Sequence, residues 1–333
     1  MKYLITGATG DVGSKVVEHL IRSGERPRVY VRDEQKARLR FNDRVDVSVG
    51  DLADPESLRA ALQGLDELFL VNTGPQIPER DEMAAKAAKS AGIKHVVKLS
   101  SMDVPRGLAI GAWHERGEAA VRASGVPFTF VQPTGFMSNI LAWVPSIKAE
   151  GVVRASTGDG RRAFIHSDDI AAVVVKALTT RTYHGRSLPI TGPEALTFAE
   201  VTARIGAAIG RPLTFREISD EEARQEYSRI SGSVEETEAH VSLWRAIREG
   251  RLATITDNVE AVLGRKPIAF DQWLIENAAA SDDRRAGNTD RIAARVLRAG
   301  EHSLGGIYFS GGRPPASFVL VQNRMESDVD GAR

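Results

Sequence analysis

Thr6-Gly7-Ala8-Thr9-Gly10-Asp11-Val12-Gly13 stands between an apolar run at Tyr3 to Thr6 and an amphipathic stretch from Ser14 to Ser23. Glycines at these spacings suit a strand-turn-helix cradle for a pyrophosphate. Gly7 can take the tight turn, Gly10 admits a phosphate to the backbone, and Gly13 lets helix and strand lie close. The helix that follows would offer free N–H groups and the positive end of its dipole. Thr9, Asp11 and Val12 fall within the same loop and become candidate contacts to a dinucleotide, although a carboxylate such as Asp11 repels a phosphate placed beside it. A glycine-rich turn that binds nothing is the alternative, and the position between strand and helix weighs against it.

The remaining chemistry must come from acids, bases and a bound group. With no cysteine in the chain, disulfide frameworks, thiolate metal sites and cysteine nucleophiles are all excluded. Seven histidines are scattered with no His-x-x-x-His spacing, which argues against a metal centre. Within Trp113-His114-Glu115-Arg116-Gly117-Glu118, His114 and Glu118 share one helical face at i and i+4, where the carboxylate could orient the ring or raise its pKa. The competing reading is a surface pair that only supports the helix. Lys98 and Ser100, at the end of a strand, are second candidates for proton transfer, with an exposed position near the strand edge as the plain reading of Lys98. The Asp168-Asp169 pair resembles a catalytic dyad, but one of them is expected to cap a helix starting near Ile170 while His166 holds the loop.

The elements that would position these residues alternate in a βαβ rhythm. Apolar runs at Tyr3 to Thr6, Arg28 to Val31, Val45 to Val49, Glu67 to Val71, Val96 to Leu99 and Phe128 to Gln132 are separated by amphipathic stretches. Those stretches run from Ser14 to Ser23, Glu34 to Arg40, Pro55 to Gln63, Glu79 to Ala91 and Trp113 to Ser124. The pattern predicts an α/β chain with a Rossmann-type, doubly wound parallel sheet over residues 1–139. After Asn139 the rhythm weakens into a smaller, mostly helical lobe over 140–280, with a helix from Ile170 to Leu178, a strand from Leu188 to Thr191, a helix from Phe198 to Ile209, and Trp244 and Trp273 as packing anchors. Residues 281–333 are rich in Arg, Gly, Ser and Asp, and are expected to form a flexible tail, with one helix near Arg291 to Arg298.

Forty-four basic residues balance forty-four acidic ones, so no global field draws in nucleic acid or an anionic membrane. A small-molecule partner is expected. No apolar run approaches the roughly 20 residues that cross a bilayer, and the strand-like Tyr3-Leu4-Ile5 leaves no room for a signal peptide. The expected location is the cytoplasm, and the expected state a monomer or weak homodimer.

The form of the glycine loop is similar to that of the extended and atypical short-chain dehydrogenase/reductases, and particularly to the NmrA-like group with its quinone oxidoreductases and azoreductases. Further matches follow in order: Val31-Arg32-Asp33, Gly50-Asp51-Leu52, Lys98-Leu99-Ser100-Ser101, Ser124-Gly125-Val126-Pro127-Phe128-Thr129 and Gln132-Pro133-Thr134-Gly135-Phe136-Met137. The resemblance covers Met1 to about Ala280 and leaves the tail outside.

What the resemblance implies is NADP(H), with Arg32 holding the 2′-phosphate. Asp33, standing 20 residues after Gly13, is the competing signal for NAD(H). Asp51 and Leu52 would lie on the adenine side, with a cap for the helix after Asp54-Pro55 as the other reading of Asp51. Asn72 and Thr73 would flank the ribose, and Thr134, Gly135 and Phe136 would reach the nicotinamide side. Phe136, Met137, Trp143 and Tyr183 become candidate walls of an apolar substrate pocket or ordinary core. None of the five tyrosines is followed four residues later by lysine, so the Tyr-x-x-x-Lys proton donor of the wider superfamily is missing. The resemblance puts a lysine or histidine at the position of His114, with an acid four residues on. The implied activity is hydride transfer from NAD(P)H to a quinone, azo, imine, enone or carbonyl group. A dinucleotide-binding redox regulator and a nicotinamide-dependent epimerase or isomerase are the alternatives.

Overall fold

The first half of the chain folds by local rules. In the computed structural model, which describes residues 2–279, it runs β1 (Tyr3–Thr6), α1 (Asp11–Arg22), β2 (Arg28–Val31), α2 (Glu34–Phe41), β3 (Asp46–Val49) and α3 (Pro55–Leu62). It continues through β4 (Glu67–Leu70), α4 (Ile77–Ser90), β5 (His95–Leu99), α5 (Ala109–Ser124) and β6 (Phe128–Pro133). Each helix carries its own start signal or apolar stripe. Asp33 caps α2 by accepting from the Lys36 N–H at 3.0 Å. Asp54 caps α3 from the Glu56 N–H at 3.1 Å, with Pro55 at the first helical turn. In α1 the stripe Val12, Val16, Val17 and Leu20 is buried, the spacing that seats a helix against a sheet.

The second half runs β7 (Gly135–Phe136), α6 (Val144–Glu150), β8 (Val152–Ala155), β9 (Arg161–Ile165), α7 (Ser167–Thr179), β10 (Arg186–Ile190) and β11 (Ala195–Thr197). It closes with α8 (Phe198–Ala208), β12 (Thr214–Glu217), α9 (Asp220–Ser228), α10 (Val234–Arg248), α11 (Asn258–Leu263) and α12 (Phe270–Ala279). Thr197 with Glu200, and Ser219 with Glu222, form capping boxes at α8 and α9.

Seven strands pair in the order β10-β6-β5-β4-β1-β2-β3, and every pairing is parallel. This is the doubly wound Rossmann-type sheet, and the winding reverses between β1 and β4. One face is packed by α1, α2, α7 and α11, the other by α3, α4 and α5. Because all seven strands run the same way, their carboxyl ends form one rim. The loops on that rim carry the glycine loop, Arg32, Asp51, Asn72, Ser100 and Thr134.

Residues 167–190 return to the sheet: α7 covers it and β10 forms its edge beside β6. The remaining lobe has its own core, where Phe164, Phe198, Trp244, Phe270 and Trp273 meet Leu108, Ile110 and Trp113 from the first half. Trp244 and Trp273 are buried there as expected. Two small sheets, β11-β9-β7 and β12-β8, brace this lobe.

Helix α7 starts three residues earlier than the sequence pattern places it, and its cap is neither aspartate. The His166 ring accepts from the Asp168 N–H at 2.9 Å. Asp168 instead pairs with His19 at 2.8 Å, and the buried Asp169 accepts from Arg265 at 2.6 Å and from the Ile268 N–H at 2.7 Å. The expected tail at 281–333, with its helix near Arg291 to Arg298, lies outside the described residues.

Candidate functional site

Gly7 adopts φ of +60°, the left-handed region that disfavours a side chain, and its carbonyl accepts from the Gly10 N–H at 2.9 Å. Gly13 has no room for a side chain, since a Cβ there would stand 2.1 Å from the Gly7 carbonyl oxygen. A Cβ on Gly10 would meet only that oxygen, at 3.2 Å, so its outer side opens to the space in front of α1. Among the described residues no side chain caps the α1 amino terminus, which leaves its first N–H groups for an anion. Thr9 is half-buried at the rim, while Val12 belongs to the core under the helix. Thr6, which the motif reading passed over, ties β1 to the end of β4: its hydroxyl donates to Phe69 O at 3.0 Å and accepts from the Val71 N–H at 2.8 Å.

Asp11 does not confront a phosphate. Its carboxylate turns to the lobe, accepts from Ser138 at 2.6 Å and from Ser167, and pairs with Lys15 at 2.5 Å. Burial opposes its ionisation, but the Lys15 charge and these hydrogen bonds outweigh burial and hold the carboxyl below its ordinary value. The Lys15 charge offsets the repulsion expected from the sequence, and Asp11 links the glycine loop to the lobe.

Arg32 leaves the end of β2 exposed, with no acid paired to it among the described residues. Asp33 beside it caps α2 through one carboxylate oxygen, Oδ1. Asp51 accepts from the Ala53 N–H at 2.9 Å, and the α3 cap is Asp54, so the capping alternative for Asp51 fails. Leu52 packs half-buried against the α3 and α4 side of the sheet.

At the ends of β4 and β5 lies a buried polar chain that only the fold assembles. The Asn72 amide donates to Asp81 at 2.7 Å. Asp81, from α4, pairs with Lys98 of β5 at 2.6 Å, both side chains being fully buried. The Lys98 ammonium lies 3.3 Å from His114 Nδ1. With Lys98 as donor, Nδ1 accepts and the hydrogen sits on Nε2, which has no protein partner among the described residues. Burial first, and then the Lys98 charge, lowers the His114 pKa well below its ordinary value, so the ring is neutral at pH 7. Asp81 was not legible as a site residue. Gly117 makes its place, because a Cβ there would sit 2.1 Å from Asp81 Oδ2.

The expected pairing of Glu118 with His114 fails here, as does the exposed alternative for Lys98. Glu118 does not touch His114 and does not raise its pKa; it accepts from Ser100 at 2.5 Å, Gln132 at 2.7 Å and Arg122 at 3.2 Å, fastening the ends of β5 and β6 to α5. Lys98 is not at an exposed edge, since β5 lies inside the sheet. Asn72 donates its amide to Asp81, and Thr73 is half-buried next to it. The Thr134 hydroxyl donates to Ala163 O at 2.9 Å and its N–H to Ile190 O at 3.0 Å, so both groups fix the loop after β6.

Gly135 lies under the Arg162 guanidinium, and Phe136 is partly buried against α7 and its neighbours. Met137 is fully enclosed in the lobe core. Trp143 packs edge-on to Phe198 at 5.2 Å on the same core. Tyr183 is at the wrong end of the molecule for a pocket wall: its carbonyl accepts from Thr129 at 2.7 Å, at the start of β6 and opposite the rim. Among the described residues no helix is long and apolar enough to cross a membrane, and no three acidic or histidine side chains gather as metal ligands.

A glycine cradle at the sheet's switch point, with a free arginine one strand away and a buried proton chain on the same rim, defines a Rossmann-type dinucleotide-binding protein without the tyrosine–lysine pair. Its family is the NmrA-like family, to which the chain belongs through a match over residues 1–260. The chain is 40% identical over 282 residues to the (4-alkanoyl-5-oxo-2,5-dihydrofuran-3-yl)methyl phosphate reductase of Streptomyces griseus, covering 83% of this chain and 98% of that one. To the NAD(P)H azoreductase of Xenophilus azovorans it is 36% identical, again over 83% of this chain and 98% of the relative. The NADPH complex of an Escherichia coli quinone oxidoreductase shares the fold, with a TM-score of 0.75 at 22% identity over 83% of this chain and 99% of that one.

Proposed function

We propose that this NmrA-like chain is an NADPH-preferring reductase of small, electron-poor acceptors. Its relatives at 40% and 36% identity are both named as reductases, which supports turnover over a purely regulatory role. The observation that carries the reading is the buried chain Asn72–Asp81–Lys98–His114 on the same rim as the glycine loop.

The residues fit a dinucleotide: Gly7, Gly10 and the free N–H groups of α1 would hold its pyrophosphate, and Arg32 a 2′-phosphate. When bound, the nicotinamide supplies the hydride. His114, neutral and held by Lys98 through Nδ1, presents its Nε2–H as a hydrogen-bond donor to the acceptor's oxygen or nitrogen. Proton delivery from Nε2 would draw a proton from Lys98 to Nδ1, and Lys98 would then leave Asp81 as a buried, unpaired carboxylate, a costly state. Full protonation of a strongly basic alkoxide is therefore disfavoured. Hydrogen bonding to a delocalised anion, as from a quinone, azo compound or enone, asks only for Nε2–H. That asymmetry is the reason for assigning activated acceptors over simple ketones.

NADPH oxidation measured without flavin or metal, across a quinone, an azo dye, an enone and a matched ketone, tests the reading. Turnover of the first three with the ketone at least about 10²-fold slower is expected. Equal rates for all four, or none for any, would refute it.

A further inference from the structure

Arg162 is 7% exposed, and its buried Nε has no hydrogen-bond partner among the described residues. It alternates along β9 with Arg161, which points outward and pairs with Glu200 at 2.8 Å. Arg162 points inward over Gly135, where a Cβ would come within 2.4 Å of Nε. No carboxylate pairs with it among the described residues. A buried guanidinium in that condition is strongly unfavourable unless an anion reaches it.

Its neighbours add positive charge. Arg106, only 14% exposed, belongs to the turn that follows β5, the strand of Lys98. Two acids stand near: Asp103, 3.9 Å from Arg106, and Glu249, 3.6 Å from Arg251, both beyond hydrogen-bond reach and neither on Arg162. Arg251 donates to the Arg106 carbonyl at 2.8 Å and brings a third guanidinium to the same place. Burial lowers the Arg106 pKa, Asp103 opposes this in part, and the charges of Arg162 and Arg251 lower it further. Burial and the Arg162 charge push His240, stacked on Tyr227 at 3.6 Å, down to about 3, so this ring contributes no charge at neutral pH. The cluster stays cationic.

Both arginines stand on loops and strands contiguous with the reacting rim: Arg106 lies beyond the end of β5, and Gly135, under Arg162, lies beyond the end of β6. The glycine loop and Arg32 are built on β1 and β2, so the cofactor's own phosphates have their places elsewhere. We propose that Arg162 and Arg106 form an oxyanion subsite for the acceptor, so that the natural substrate carries a phosphate or carboxylate beside its reducible group. Planar guanidinium groups match either anion through paired N–H donors.

This rests on the reductase reading for its substrate sense, but binding can be tested without turnover. With NADP+ saturating, phenyl phosphate and benzoate are titrated while the melting temperature is followed. At least one should raise it in the natural protein and neither in Arg162→Met; which one acts tells phosphate from carboxylate. The unliganded melting temperature of Arg162→Met should be equal or higher, because an unpaired buried charge has been removed. In turnover, methyl red is compared with its uncharged methyl ester. The KM for methyl red should rise about ten- to hundredfold in Arg162→Met and in Arg106→Met, with kcat, the ester's KM and the NADPH Kd unchanged. Protection by neither anion, equal losses on acid and ester, or weakened NADPH binding would overturn the subsite. Absence of turnover on both dyes in the natural protein, with anion protection intact, would count against the reductase reading and leave the subsite standing.

Discussion

The glycine loop and the buried polar chain face the same rim but are built in opposite ways. The loop uses backbone: its three glycines fall within seven consecutive residues, from Gly7 to Gly13, and its constraints are a left-handed φ and a close approach of α1 to the turn. The polar chain uses side chains from four separate stretches, Asn72, Asp81, Lys98 and His114, brought together by the β4–β5 pairing and the packing of α4 against α5. The loop can bind an anion whatever lies beyond it. The chain works only if every member stays in place, since each buried charge depends on the next.

The largest effect should come from the loop. Gly10→Val should keep the fold, since a Cβ there meets only the Gly7 carbonyl, at 3.2 Å, while its methyls fill the phosphate side of the turn. Calorimetry should find NADPH binding lost by more than about 10³-fold, well beyond the effect of any one hydrogen bond. Micromolar binding in that variant would break the contrast at its first term.

Lys98→Met should hurt stability more than binding. It strands Asp81 as an unpaired buried carboxylate, at about 3–5 kcal/mol, read as a lowered urea midpoint. Lys98→Met with Asp81→Leu should recover much of that stability while turnover stays low. A single Lys98 variant as stable as the natural protein would mean that the pair is not the organising charge of the site.

His114→Phe separates chemistry from architecture. Turnover of the activated acceptors should fall by about 10²-fold, the scale of losing one positioned hydrogen-bond donor, with little change in NADPH affinity. Glu118→Gln should instead leave the pH dependence of the rate unmoved, since Glu118 holds Ser100 and Gln132 and not the ring. A shift in the rate-governing pKa of Glu118→Gln would restore the direct pairing that the geometry excludes.

Arg32→Ala should weaken NADPH by about ten- to hundredfold and NADH hardly at all, the scale of a hydrogen bond to a charged group. Equal losses would remove Arg32 from nucleotide choice.

The smallest effect is in pH dependence. His114 has a folded pKa below its unfolded value of about 6.5, so the unfolded chain binds the proton first. The associated stability is full above pH about 6.5 and falls as pH drops below it, with a slope of at most about 1.4 kcal/mol per pH unit. In urea melts between pH 7 and 5, His114→Phe should flatten that slope. His240, pushed in the same direction, keeps part of it in the variant. An unchanged slope would mean that His114 is not desolvated.

Most strands and helices of the first half were readable because their signals are short-range. Short continuous apolar runs, stripes at period 3.6, and the Asp54-Pro55 start of α3 depend on few neighbours. The start of α5 was less readable: Leu108 and Gly111 begin the helix by packing, with no side-chain cap. His114 was legible by position but not by state, because i, i+4 spacing suggests a Glu118 partner and says nothing of a lysine on the adjoining strand. The missed Asp81 carried only one signal, Gly117, whose need for space points to no partner until α4 and α5 are packed.

The sequence by itself determined the order of most strands and helices in the first half, the glycine turn, the absence of thiol chemistry and of a tyrosine–lysine pair, and the aromatic anchors Trp244 and Trp273. Only the tertiary structure decided that Asp11 turns to Ser138 and Ser167, that Lys98 is buried against Asp81, that His114 is neutral, that Tyr183 lies on the far side from the rim, and that Arg162 is left without an acid among the described residues. The division follows from the physics. Backbone geometry and periodicity are fixed within a few residues of chain, whereas desolvation and charge pairing depend on which distant elements exclude water from a side chain and which charges they bring to it.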